Sequence, residues 1–150
     1  MANLISESRL ERTLLNIAEE QSAGGGLNVF DLRIFQFVSQ IHYKHKVTGG
    51  AIEIGVWKGQ TSVALMSMLE ASEPLFLIDK YLRNEALEAI DKFATNHGLS
   101  SPIIYEKADS IKVDFQQFCG KNEIRIALID GEHSYEAVYS DLSNLQSVVV

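Results

Sequence analysis

The chain carries one cysteine, Cys119, so no internal disulfide can brace it, and no metal-type cysteine spacing surrounds that residue. Cys119 reads instead as a small packing residue at a helix end. Positive charge is also short: 13 Lys and Arg stand against 20 Asp and Glu, for a net charge of −7 and a pI near 5.0. A sequence-independent grip on nucleic acid needs clustered Lys and Arg against phosphate, so no nucleic-acid partner is expected and a small or neutral substrate fits better. No apolar run is long enough to cross a bilayer, and the opening MANLISESRLER has no apolar signal-peptide core. The expectation is a cytoplasmic protein with no membrane partner. What the chain has in quantity is apolar weight, 46% of 150 residues, enough for one substantial core.

That weight is arranged around Ala51 to Ser62, AIEIGVWKGQTS. A short buried strand passes into a glycine turn at Gly55, and a helix is expected to start at the hydroxyls of Thr61 and Ser62. Upstream, Ser8 to Gln21 repeats Leu10, Leu14 and Ile17 at helical spacing and is stopped by Gly24-Gly25-Gly26. A second helix, capped by Asn28, is expected to bury Phe30, Ile34, Phe37, Val38 and Ile41 on one face. His42 and His45 have a spacing a metal could use, but near a helix C-terminus they read as complements of the macrodipole.

Downstream the pattern alternates. Strands are expected at Leu75 to Ile78, Pro102 to Glu106 and Ile124 to Ile129. Between them lie a helix from Thr61 to Leu69, an Asn84-capped helix stopped at Gly98, and a short helix through Val113, Phe115 and Phe118. A last helix opens at Ser134 with Tyr135, Val138, Leu142 and Leu145 on one stripe. This β-α-β-α-β-α-β-α order implies a Rossmann-like doubly wound parallel α/β sheet, strand order 3-2-1-4, with helices on both faces.

Polar or acidic residues mark the strand ends on the side where such sheets bind ligands: Glu53 beside Gly55, then Asp79, Asp109 and Asp130. Each alone is an ordinary loop or cap residue, but four on one edge converge on one crevice and point to a nucleoside-type ligand. A dinucleotide fingerprint would place a second glycine two residues after Gly55, where this chain has Trp57, and that bulk argues against a pyrophosphate. No G-x-x-x-x-G-K-[ST] phosphate loop occurs. Asp79 ends the second strand, where an acid commonly accepts from both ribose hydroxyls.

The run EIGVWKGQTS, the strand end LIDK, the KADS after the third strand and IDGEHSYEAVYSDL together resemble the class I S-adenosylmethionine-dependent methyltransferases. The branch they are most similar to is that of small O-methyltransferases and sugar O-methyltransferase-like proteins with a D-G-x-H-x-Y segment. The resemblance implies S-adenosylmethionine as cofactor, with Glu53 and Gly55 at its methionine part, Thr61 near its carboxylate, Asp79 on the ribose, and Asp109 with Ser110 edging the adenine. Residues 1–48 would then be helices on the substrate side and residues 49–150 the cofactor-binding domain. Asp130 resembles the carboxylate that binds Mg²⁺ or another divalent cation in many of these enzymes, and His133 could serve as the base for a small hydroxylated acceptor. Relatives of this type continue into a fifth strand and a hairpin, whereas this chain stops at Val148-Val149-Val150, so the expectation is a fragment whose Ile124 to Ile129 edge favours homo-oligomers. A catalytically inactive nucleoside-binding or scaffolding module, and an NAD-dependent oxidoreductase, are the alternatives on the same fold.

Overall fold

The four described strands are short, largely apolar runs, a pattern that suits a parallel sheet. The computed structural model describes Leu27 and residues 29–150. It contains α1 (Val29–His45), β1 (Gly50–Ile54), α2 (Gln60–Ser67), β2 (Leu75–Ile78), α3 (Asn84–His97), β3 (Ile103–Glu106), a 3₁₀ turn (Ser110–Lys112), α4 (Phe115–Cys119), β4 (Ile124–Ile129) and α5 (Tyr135–Leu145). The expected helix at Ser8 to Gln21 and the Asn28 cap lie outside the described residues.

The four strands are parallel in the order β3-β2-β1-β4, as the alternating pattern implies. Register alternates the side chains cleanly between two cores. Ala51, Leu75 and Leu77 face α1, α2 and α3, where they meet Leu32, Phe35, Leu65, Met66, Ile90 and Phe93. Ile52, Ile54, Phe76 and Ile78 face the other way, onto Val113, Phe115, Cys119 and Leu145. Cys119 is buried at the end of α4, and burial pushes its thiol up to about 11, so it packs as a small apolar group. Val148 and Val150 hydrogen-bond with Ile124 and Val149 bridges it in parallel, beside the start of β4. Among the described residues no helix is long and apolar enough to cross a membrane.

Four local expectations are corrected. On α1 the residues that pack are Leu32 and Phe35, with Val38 partly buried, while Phe30, Ile34, Phe37 and Ile41 are exposed. Both stripes recur at helical spacing, so periodicity alone does not say which one the sheet receives. The same ambiguity affects α5, which buries Ala137, Asp141 and Leu145 and exposes Tyr135 and Leu142. Two expected caps also differ. Gly59 at φ 79° precedes α2 and Arg83 precedes α3, neither with a side-chain cap, and the Ser62 hydroxyl is used elsewhere. Ser134 does cap α5, accepting from the Ala137 amide, and Gly98 ends α3 in the left-handed conformation.

The end of the sheet opposite the ligand crevice is closed by Arg125 on β4. Its Nε donates to the Gly49 carbonyl at 2.8 Å, Nη1 to His42 Nδ1 at 2.7 Å, and Nη2 to the Met68 carbonyl at 2.6 Å and Glu73 at 3.0 Å. One guanidinium thus joins α1, the entry to β1, the end of α2 and the start of β4. Burial, and then the Arg125 charge, hold the His42 pKa below its usual value, consistent with an unprotonated acceptor nitrogen.

A second buried polar group sits inside β1. Glu53 is 1% exposed and accepts a hydrogen bond from the Ser62 hydroxyl of α2. Burial raises its pKa to about 8 against the opposing effect of that hydrogen bond, with the Asp130 and Asp79 charges adding to the rise.

Removing the guanidinium in Arg125→Met leaves Glu73 buried with its charge unmatched, and should cost about 3–5 kcal/mol of stability in urea denaturation. A loss below about 1 kcal/mol would mean that the network contributes little. For Glu53 the folded pKa lies above the unfolded value of 4.5, so its contribution is complete below 4.5 and lost as pH rises through about 8. For His42 the folded pKa lies below 6.5, so its contribution is complete above 6.5 and lost as pH falls through the folded value. Glu53→Gln should therefore be more stable than the parent at alkaline pH. Its melting temperature should fall more clearly on acidification below 6.5, where the parent profile is flattened by the two opposing groups. Parallel profiles for the two proteins would show that Glu53 is ionised in the folded state.

Candidate functional site

At the carboxyl end of the sheet the chain leaves β1 through Gly55-Val56-Trp57. Gly55 has φ 92°, and a Cβ there would collide with the Asp130 carbonyl, so β1 and β4 approach each other too closely for any other residue. Asp130 donates its amide to the Ile54 carbonyl and Gly55 donates its own to Ile78, both at 2.8 Å, so the sheet ladder runs to the edge of the crevice. Trp57 is also left-handed, at φ 47°, which is costly for a residue with a side chain.

Asp79 holds that turn. Its Oδ2 accepts from the Val56 amide at 2.8 Å and the Trp57 amide at 3.1 Å, while Oδ1 accepts from the Tyr81 amide at 2.6 Å. A carboxylate has about four acceptor sites, so room is left for one further donor without releasing a turn amide. The sequence alone anticipates both ribose hydroxyls at Asp79. It contains no signal that the carboxylate is already shared with the first glycine turn.

Two cavities open from this point. The larger, about 650 Å³, lies over the ends of all four strands. It brings together six of the residues singled out from the sequence: Gly55, Asp79, Asp109, Ser110, Asp130 and His133. Its apolar walls include Ile54, Ile78 and Ala108, and Lys80 crosses its mouth to pair with Asp109 at 3.3 Å. The hydrogen bond to Asp109, and then its charge, raise the Lys80 pKa. The smaller cavity, about 360 Å³, lies between α1 and the start of α2 and is lined by Leu27, Ile34, Phe35, Val56, Thr61 and Leu128 among others. Gly55, Trp57 and Asp130 line both. Thr61 therefore faces the smaller cavity, and Glu53 lines neither, being buried beneath the turn against Ser62.

Asp130 and His133 are both exposed, with His133 Nε2 3.9 Å from Asp130 Oδ1, near each other but beyond hydrogen-bond reach. Glu132 is turned to the Ser134 hydroxyl, which donates to it at 3.1 Å. Among the described residues no group of three or more His, Cys, Asp or Glu side chains could hold a metal ion. The donor set around Asp130 is therefore short of the six or more oxygens that a hard divalent cation takes, and no chemical step is routed through a metal here. The nucleoside part of S-adenosylmethionine is a better match to the residues present: a cavity within the usual size range for small ligands, apolar side walls, glycine at the point of closest backbone approach and an acceptor position on Asp79.

Of the α1 stripe expected to face the sheet, Ile34 instead lines the smaller cavity beside Phe35. Lys80 is missed by the sequence reading, although it directly follows Asp79 in LIDK.

Comparison with known proteins agrees with this geometry. The sequence model of a methyltransferase domain matches residues 52–150, which spans β1 to the last described residue. No curated protein sequence matches the chain. Among solved structures, a protein from Klebsiella pneumoniae provisionally assigned as an O-methyltransferase superimposes with a TM-score of 0.56 at 13% identity, over 95% of this chain and 63% of that one. A cyclopropane-fatty-acyl-phospholipid synthase-like protein from Lactobacillus casei ATCC 334 superimposes with a TM-score of 0.50 at 16% identity, over 96% of this chain and 55% of that one. At such identities the likeness is one of fold, and the chain spans less than two thirds of either structure. The match to the domain covers well over half of the sequence, and on that ground the chain belongs to the methyltransferase-domain family.

Proposed function

We propose that the larger cavity binds S-adenosylmethionine and that a small hydroxylated acceptor is methylated on oxygen where the two cavities meet. The observation that carries this reading is the shared wall of Gly55, Trp57 and Asp130, which gives a nucleoside-sized cavity and a second cavity one common boundary. Bound there, the cofactor supplies an activated sulfonium methyl group. What remains for the protein is alignment and proton removal.

Asp79 accepts a ribose hydroxyl at its remaining site, and Asp109 with Ser110 edges the base. The backbone at Gly55 lies along the methionine part, and Thr61, at the start of α2, reaches its carboxylate from the smaller cavity. His133 takes the acceptor proton, and Asp130, 3.9 Å away, stabilises the imidazolium that results. Residues 49–150 form the cofactor-binding part, and α1 lies on the acceptor side. Net charge and the four acidic side chains around the larger cavity favour a cationic sulfonium over the pyrophosphate of NAD.

Calorimetry with S-adenosylhomocysteine and NAD side by side should show binding of the first only, and equal or preferred binding of NAD would overturn the reading. Asp79→Ala should weaken S-adenosylhomocysteine by about 1–3 kcal/mol. Because Asp79 also pins Trp57, the only tryptophan, intrinsic fluorescence should change in that variant before any ligand is added. His133→Ala should leave nucleoside binding intact and lower methyl transfer to a hydroxylated acceptor by about 10²-fold or more. Full transfer activity in that variant would remove His133 as the base.

A further inference from the structure

Trp57 is the strained residue of the turn after β1. Its φ of 47° is left-handed, where a glycine would sit without cost, and the Asp79 carboxylate has to accept its amide at 3.1 Å to hold it there. The side chain is not compensated by packing, since Trp57 is 53% exposed. A left-handed residue with a large, half-open side chain at the edge of a cavity points to a function for that side chain. The ring already receives a cation. Lys58 Nζ lies 4.5 Å from its centroid, within the range at which an aromatic face attracts an ammonium. Lys58 lines neither cavity, whereas Trp57 lines both, so the ammonium stays outside the wall of which Trp57 is part.

We propose that Trp57 is the specificity residue that separates S-adenosylmethionine from its demethylated product: the indole face receives the sulfonium by a cation–π contact that the neutral thioether of S-adenosylhomocysteine cannot make. This role rests on the reading of the larger cavity as the S-adenosylmethionine site, and adds to it the residue that reads the charge on sulfur. The two ligands share their base, ribose and amino-acid ends, so Asp79, Asp109, Ser110 and Thr61 cannot tell them apart. Discrimination falls to the boundary where the cavities meet. Of Gly55, Trp57 and Asp130, which form it, only Trp57 and Asp130 have side chains. The Asp130 side chain is 63% exposed, so water screens its pull on a cation. The indole carries no net charge to be desolvated, and its face attracts a cation more strongly as water is excluded. When the methyl group leaves, the electron pair of its bond stays on sulfur, and the positive charge is gone. The contact is therefore strongest before transfer and absent after it, so it favours cofactor over product and lowers product inhibition.

The test is calorimetry on the full chain with three probes: S-adenosylmethionine, S-adenosylhomocysteine, and sinefungin, a cationic analogue with an amino carbon in place of the sulfonium. Trp57→Leu should lose about three- to tenfold in affinity for the two cationic ligands and stay within about twofold of the parent for S-adenosylhomocysteine. Trp57→Phe keeps a ring and should lose less for the cations than the leucine variant does. Leucine meets the same left-handed strain as tryptophan, so damage to the turn would weaken all three ligands alike. Equal losses overturn the proposal, and so does an unchanged affinity for S-adenosylmethionine. A second readout needs no variant, because Trp57 is the only tryptophan. Its emission in the parent should change more on saturation with either cation than with S-adenosylhomocysteine, and identical changes would overturn the contact. If Trp57→Leu fails to fold, Trp57→Gly, which suits the left-handed backbone, takes its place with the same expected losses. A parent that binds none of the three probes overturns the nucleoside reading and this role with it. A parent that binds all three, with a preference for cations that does not depend on the ring, overturns the role of Trp57 alone.

Discussion

The geometry of the crevice depends on one carboxylate. Asp79 ends β2, yet two of its three hydrogen bonds go to amides of the turn after β1. Without them the turn would have to place a large aromatic residue in the left-handed region with nothing to offset the strain. Because Trp57 lines both cavities, the bonds that hold its backbone also set the partition between them. A glycine at this position, as in a dinucleotide fingerprint, would need no such support, so the tryptophan and the shared use of Asp79 belong together as one solution to the turn.

Rigidity at the opposite end of the sheet complements this arrangement. Arg125 satisfies two carbonyls, a carboxylate and a histidine from elements that are far apart in sequence, and its side chain is almost wholly buried. A network of this kind is a poor source of net stability but a demanding one geometrically, since a displaced partner leaves a buried charge without its match. It fixes α1 relative to β1 and β4. That matters for the site, because α1 forms one wall of the smaller cavity through Ile34 and Phe35.

The strands, their order and the loops after them were legible because each is a local signal: short, largely apolar runs in regular alternation with helical segments. The candidate residues Asp79, Asp109, Ser110, Asp130 and His133, all on those loops, line one cavity. What local pattern does not encode is orientation. Phe30, Ile34, Phe37 and Ile41 make a stripe as regular as the one containing Leu32 and Phe35, and only packing against Val63, Leu65 and their neighbours chooses between them. Long-range polar contacts are equally silent. Arg125 looks like a strand residue with an exposed charge until His42, Gly49, Met68 and Glu73 are brought around it. The resemblance places Glu53 at the methionine part of the cofactor. The pleat turns it under the sheet instead, toward Leu77 and Leu128, its register partners.

That last placement bears on the charge of the crevice. Glu53 lies two residues before Gly55, close enough to Asp79 and Asp130 for both to oppose its ionisation, and burial opposes it more strongly still. With a pKa near 8 it keeps its proton at neutral pH, so its carboxyl is a neutral hydrogen-bonding partner for Ser62 and not a third charge beneath Gly55. An ionised Glu53 would repel the two carboxylates that shape the turn and would do so through low-dielectric protein, where such repulsion is poorly screened. By remaining neutral it adds no repulsion beneath the carboxylate that accepts from the Val56 and Trp57 amides.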